Sequence, residues 1–347
     1  MAKQRTSRGA LVRYLLVRLV LMVPTVWILV SVVFFFMRAT GDPITASIGG
    51  RLPAAVIAER KAAAGYDRPM LVQYWEYLTN LLHGDFGHAM TDNRAISEVL
   101  LTNGAATLEL VFWALLVAFA VGIPLGRLAA RYHDRLPDVA IRSFAVLFYA
   151  APVFFVGLLL KLLFTSKLGW LPSSGRATTN TELALDQAGH QSNIMILDAL
   201  RSWNGGYILD VLEHAILPAT ALGLLTAGVF IRLIRINLLE TMRADFVTAA
   251  RARGVRERLV VSKHAFRNAL IPVVTVMGMQ IALMLGGAIL TETTFEWKGL
   301  GYQLSQYLIA RDFVAVQGIV AAIACVIVAA SFLIDVINAL VDPRVRY

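Results

Sequence analysis

Leu19-Val-Leu-Met-Val-Pro-Thr-Val-Trp-Ile-Leu-Val-Ser-Val-Val-Phe-Phe-Phe-Met37 is a run of 19 residues without a charged side chain. A helix that crosses the hydrocarbon core of a bilayer needs about 20 predominantly apolar residues. Because lipid offers no hydrogen bonds, the backbone of such a segment must pair its own N–H and C=O groups. The run therefore predicts a membrane-spanning α-helix.

Five more apolar runs follow along the chain. Hydrophobic residues make up 58% of the sequence and charged residues 16%, whereas soluble domains carry about 45–50% and about 25%. The runs predict an all-α integral membrane protein with six transmembrane helices, which we place at residues 14–37, 104–126, 139–163, 212–237, 269–291 and 313–340. The single cysteine, Cys325, excludes an intramolecular disulfide.

The basic residues indicate the orientation of these helices. One alternating set of flanking segments, which includes both termini, carries 20 of the 32 Lys and Arg residues. Cytoplasmic loops of membrane proteins carry this excess. We therefore expect residues 1–13, the C-terminus and residues 238–268 to be cytoplasmic, and residues 38–103 and 164–211 to be extracytoplasmic. The basic charge then belongs to the inner face, and no nucleic-acid partner is predicted.

The most informative segment is the predicted cytoplasmic stretch between helices four and five. Residues 245–254 read Asp-Phe-Val-Thr-Ala-Ala-Arg-Ala-Arg-Gly, a run of helix formers followed by a glycine that can end a helix. Val255, Leu259, Ser262 and Phe266 then share one helical face. Two interpretations remain open, a basic loop that only fixes topology and a docking surface, and the length of the segment favours the second.

This segment resembles the "EAA" loop of ABC import permeases, which reads Glu-Ala-Ala, three residues and Gly. The matching residues are Thr248-Ala249-Ala250 and Gly254, with Thr248 in the place of the glutamate. The tail His264-Ala-Phe-Arg-Asn-Ala269 is similar to that of the peptide and nickel branch. Further stretches similar to that branch occur in the same order, from about residue 14 to 347, including Gly41-Asp42-Pro43, Gly65–Pro69, His83–Gly87, Ala106–Leu110, Gly169–Pro172 and Gly299–Gly301.

The resemblance implies a type I ABC importer permease fold. In this fold residues 105–347 form the permease transmembrane domain, with an extracytoplasmic insert between helices 1 and 2 and a cytoplasmic coupling helix between helices 4 and 5. It also implies a multi-pass protein of a bacterial inner membrane that imports di- or oligopeptides and is not itself an enzyme. Nickel, glutathione or another small solute remain alternatives to peptide. The polar tract 176–198 matches no family feature and is interpreted as an insertion.

The implied partners are a second homologous permease, two ATPase subunits or one fused ATPase, an extracytoplasmic substrate-binding lipoprotein, the peptide and membrane lipid. ATP and Mg²⁺ would bind to the ATPases, because the sequence contains no Gly-x-x-x-x-Gly-Lys-Ser/Thr motif, and no cofactor is expected in this chain. An ion-coupled secondary transporter is less favoured, because the apolar runs show no internal repetition and the charged residues keep to their edges.

Two groups of site residues follow. The resemblance implies that the ATPase contacts lie within Asp245, Phe246, Thr248, Ala249, Ala250, Arg251, Arg253 and Gly254. Polar residues within apolar runs suggest contacts along the substrate pathway, and these are Gln280, Glu292 and Gln317.

The His83–His88 stretch offers imidazole ligands, but its glycines favour a structural turn and no metal site is predicted. Gly122-x-x-x-Gly126 has two open interpretations, a site of close helix packing and a coincidence in a glycine-containing chain.

Overall fold

A computed structural model describes residues 2–39, 53–63, 65–189 and 192–341. The prediction of an all-α protein is confirmed, since helices and their connecting turns account for the described residues apart from one isolated bridge between His88 and Ala95. The motif Gly41-Asp42-Pro43 lies outside this described part. The first helices are α1 Ala2–Ala39, α2 Ala54–Ala63, α3 Met70–Leu82, α4 Ile96–Arg131, α5 Leu136–Ala150, α6 Val153–Leu160, α7 Thr179–Gln187 and α8 Met195–Arg201.

The remaining helices contain the fourth, fifth and sixth predicted spans and the segment between the fourth and fifth. They are α9 Gly205–Met242, α10 Asp245–Ala252, α11 Glu257–Leu259, α12 Phe266–Ala269, α13 Ile271–Phe295, α14 Leu300–Ile309 and α15 Phe313–Val341. Helix α6 continues as a π-helical turn over Lys161–Lys167, and α11 continues in the same way over Val260–Ala265.

Five of the described helices are long and apolar enough to cross a membrane. Their spanning parts are Val12–Ala39, Ile96–Arg131, Gly205–Met242, Val276–Phe295 and Phe313–Val336. A bent pair of helices, Leu136–Ala150 and Val153–Lys167, is long and apolar enough to cross a membrane when the two are taken together. The pair forms a sixth span if it is counted as one. The described chain therefore has five or six spans.

The third predicted span differs most from its expectation. A single helix was expected over residues 139–163, but the chain bends by 107° between Ala150 and Val153. Ala151 and Pro152 both have extended backbone, with ψ of 135° and 131°. Proline has no N–H to donate and excludes helical backbone from the residue before it. The Ala151-Pro152 pair therefore explains the break.

The centre of the bundle is the long contact between α4 and α9. A Cβ atom placed on Gly122 would lie 2.8 Å from Cβ of Phe230, and one placed on Gly126 would lie 2.9 Å from Cβ of Ile234. The interpretation of these two glycines as a site of close packing is confirmed. From the other side, a Cβ on Gly223 would lie 2.6 Å from the carbonyl oxygen of Ala114 on α4. At these glycine positions the two helices are too close for a side chain on either one.

The tract over residues 176–198 was interpreted as an insertion. In the structure, α7 and α8 pack into a small unit, named here the helical insert (residues 176–189 and 192–204). Its core consists of Ala177, Leu185 and Ala199, which pack against α9. This arrangement positions the insert at the end of the bundle where α4 and α9 begin and α13 ends.

Candidate functional site

Helix α10 begins and ends with clear local signals. Ala244 is extended, and Asp245 follows in the first turn, where a carboxylate is favoured by the helix dipole. At the other end Gly254 has φ of +74°. The Gly254 N–H donates to Arg251 O at 2.9 Å and the Val255 N–H donates to Ala250 O at 3.2 Å. These two bonds form a Schellman motif, which uses glycine in the left-handed conformation.

The helix has one buried face and one exposed face. Val247 and Ala250 have no exposed surface and pack in one apolar cluster with Leu238 of α9 and Ala269 of α12. Phe246 is 43% exposed, and the other exposed positions among the predicted contact residues are Asp245, Thr248, Ala249, Arg251, Arg253 and Gly254. An apolar back and a mixed front are suited to a helix that binds a partner.

Two predicted contact residues have other roles in this chain. Ala250 was expected on the docking surface but is buried, because it lies three positions after Val247 and so shares its face. Arg251 donates from Nε and Nη2 to the Glu257 carboxylate at 3.1 and 2.7 Å. This hydrogen bond lowers the pKa of Glu257 and raises that of Arg251. The pair links α10 to α11.

The base of α10 connects directly to the spanning helices. The cluster under Val247 also contains Ala130 at the end of α4 and Val260 after α11. Nearby, Arg235 of α9 donates two hydrogen bonds to the fully buried Asp138 of α5, at 2.6 and 2.8 Å. The apolar cluster thus packs α10 against the ends of α4 and α9, and the ion pair joins α9 to α5.

A cavity of about 660 Å³ lies between α5, α9 and α13. Its walls are mainly apolar, with Gln280 of α13 among the lining residues and three arginines from α5 and α9, Arg142, Arg232 and Arg235. Pockets for small molecules commonly measure roughly 300–1,000 Å³ and combine apolar walls with few polar groups. Gln280, predicted from sequence as a pathway residue, therefore faces a cavity of suitable size.

Glu292 and Gln317 do not line this cavity. Glu292 is fully buried and accepts hydrogen bonds from Thr107 Oγ1 at 2.6 Å and from the Tyr302 backbone N–H at 2.9 Å. It thereby joins α13 to α4 and to the start of α14. Gln317 of α15 lines a separate polar pocket of about 180 Å³ with Arg38 and several residues between Gly65 and Gly87. The three residues predicted for the pathway therefore lie in three different environments.

The His83–His88 stretch forms a turn. Gly84 and Gly87 have φ of +78° and +87°, and the Gly87 N–H donates to Asp85 Oδ1 at 2.8 Å. Among the described residues, no group of three or more His, Cys, Asp or Glu side chains is arranged to hold a metal ion.

Sequence reasoning missed an ion pair that fixes the helical insert. Glu109 of α4 accepts a hydrogen bond from Arg176, and both side chains are buried, with 1% and 10% exposed. The Glu109 carboxylate also accepts from the backbone N–H groups of Met195 and Ile196, at 3.2 and 2.9 Å. Charges in apolar segments are a signal of function or pairing, and this signal marks Glu109, but nothing local identifies its partner.

A bundle of spanning helices with a cavity between them, and a short helix exposed beside their ends, is an arrangement suited to a membrane permease. The chain belongs to the family of binding-protein-dependent transport system inner membrane components, which it matches over residues 122–347. The N-terminal part of the same membrane components matches residues 11–111. The protein is thus a multi-pass inner-membrane component of a transport system and not a catalytic subunit.

Curated relatives extend over nearly the whole chain. The di/tripeptide transport system permease protein DppB of Pseudomonas aeruginosa is 36% identical over 95% of this chain and 97% of its own length. The dipeptide transport system permease protein DppB of Escherichia coli K12 is 36% identical over 97% of this chain and 99% of its own. The glutathione transport system permease protein GsiC of Salmonella typhi is 34% identical over 97% and 100%.

Proposed function

We propose that this chain forms one half of the pathway of an ATP-driven importer of di- and oligopeptides, and that α10 couples it to cytoplasmic ATPase subunits. The observation that carries the proposal is the two-faced α10, with its exposed Phe246 and with Val247 and Ala250 packed on the ends of the spans. An exposed aromatic residue between small and charged neighbours is suited to a pocket on a partner.

The proposed mechanism is a rigid-body movement. Closure of the ATPases on ATP would shift α10, and the apolar cluster beneath it would carry the shift to α4, α9 and α12. Because α12 leads directly into α13, the movement would change access to the cavity. A second homologous permease would complete the pathway, and a substrate-binding lipoprotein would deliver the peptide outside. This arrangement requires both termini and residues 238–268 to be cytoplasmic, as the basic residues predict.

Within the pathway, the 660 Å³ cavity would receive the peptide and Gln280 would contact its backbone. A glutamine side chain offers both a donor and an acceptor, which matches a peptide bond. Support for peptide cargo comes from the relatives named for dipeptides and di/tripeptides. Glutathione, named for a relative of similar identity, is a small peptide as well and is the second candidate.

The test is uptake by the complete importer in proteoliposomes, with ATP inside and binding protein outside. Labelled dipeptide should accumulate with ATP and not without it, and Gln280→Leu should lower the rate about 2- to 10-fold, the worth of one hydrogen bond. Gln303→Leu, which changes a glutamine on α14 away from the cavity lining, serves as the control. Uptake of dipeptide without ATP, or of nickel in place of peptide, would refute the proposal.

A further inference from the structure

A second large cavity lies beside the coupling helix. It measures about 1080 Å³ and is formed by the end of α4, the end of α9 and the segment that starts with α11. Its apolar lining includes Ile123, Leu128, Leu238, Leu239, Met242 and Val261. Neither the pathway nor the exposed face of α10 accounts for this cavity.

Three arginines line the cavity without an acidic partner among the described residues. Arg127 and Arg131 lie one turn apart on α4, and Arg258 faces them from α11. The Arg127 guanidinium stacks on the Phe266 ring at 4.5 Å, which leaves its N–H edge available for an anion. The one carboxylate in the lining, Glu257, is bonded to Arg251. The lining of the cavity therefore carries unbalanced positive charge.

The position of these arginines indicates what they bind. Arg127 and Arg131 follow the predicted second span, 104–126, so in the predicted orientation they lie at the headgroup level of the cytoplasmic leaflet. Basic pockets between spanning helices on this side bind anionic headgroups. The long apolar walls suit acyl chains. An acidic loop of a protein partner would leave these walls uncovered.

We propose that this cavity binds an anionic phospholipid, with its phosphate held by Arg127, Arg131 and Arg258 and its acyl chains along the apolar walls. The inference goes beyond the transport function, although it rests on the proposed orientation. Ala130 and Leu238 line the cavity and also belong to the cluster under α10. A bound lipid would thus support the base of the coupling helix, and anionic lipid should increase the peptide moved per ATP hydrolysed.

The direct test measures lipid binding to the complete, delipidated importer by native mass spectrometry. Phosphatidylglycerol should bind more tightly than phosphatidylcholine, and each arginine-to-glutamine change should weaken it about fivefold. The variants are Arg127→Gln, Arg131→Gln and Arg258→Gln. Arg135→Gln is the matched control, because Arg135 is an exposed arginine on the same predicted face but outside the cavity lining.

Several outcomes would overturn the proposal. One is equal phosphatidylglycerol binding by wild type, all three variants and Arg135→Gln. Another is competition by inorganic phosphate at the affinity of the lipid, since the apolar walls would then contribute nothing. A third is efficient cross-linking of Arg258→Cys to an ATPase subunit, which would assign the cavity to a protein partner. Binding is measured without transport, so failure of peptide uptake in every lipid would count against the proposed function alone.

Discussion

Arg176→Met is expected to release the helical insert from α4 and to cost about 3–5 kcal/mol of stability, the usual cost of breaking a buried ion pair from one side. The change leaves the Glu109 carboxylate, with 1% of its side chain exposed, without its cation. The N–H groups of Met195 and Ile196 still bond that carboxylate, but they do not neutralise it. The buried charge then favours separation of the insert from the bundle.

Thermal unfolding of the purified protein and limited proteolysis of residues 176–204 measure this effect. Arg201→Met is the matched control, because Arg201 is 58% exposed and lies 3.7 Å from Asp198, so its loss should change stability by no more than about 1 kcal/mol. The double variant Glu109→Gln/Arg176→Met removes both charges and should recover much of the loss. An Arg176→Met protein as stable and protease-resistant as wild type would contradict the assigned role of the pair.

Gly254→Val is expected to lower peptide uptake at least about tenfold, while the protein remains in the membrane. Gly254 has φ of +74°, and a Cβ at this position would meet nothing within 4 Å. The cost therefore comes from backbone strain of about 1–3 kcal/mol and not from a collision. The chain can relieve that strain by changing the end of α10, which would misplace its exposed face relative to the ATPase.

Asparagine adopts the left-handed conformation more readily than other residues with a side chain, so Gly254→Asn should retain most of the uptake. Peptide accumulation and ATP hydrolysis are measured together in proteoliposomes that contain the complete importer. The expected signature of Gly254→Val is hydrolysis without matching uptake. If valine and asparagine at this position both transport like wild type, the turn at Gly254 is not required for coupling.

Hydrophobic runs predicted the long spans because burial in lipid is a local property of the sequence. The same reasoning predicted a single helix over 139–163, where the structure has a bend of 107°. Ala151-Pro152 carried the signal for that break, but spanning helices often tolerate proline when neighbours satisfy the freed backbone groups. The sequence alone therefore could not decide between a kink and a break.

The site was predictable where its signals are local. The end of α10 at Gly254 follows from its glycine, and helical periodicity would also have placed Ala250 on the face of Val247. Pairs distant in sequence could not be predicted, since Glu109 and Arg176 are 67 residues apart and Asp138 and Arg235 are 97 apart. Glu292 shows the same limit, because its partner Thr107 comes from another span.

Cross-linking of α10 to an ATPase subunit tests the central claim most directly. In a Cys325→Ser background, Phe246→Cys and Ala249→Cys are each introduced on the exposed face, and Val247→Cys on the buried face is the control. The two exposed cysteines should form cross-links to the ATPase that change in yield with ATP, and Val247→Cys should not. Labelling of Phe246→Cys from outside the cell, or equal cross-linking from all three positions, would contradict the account.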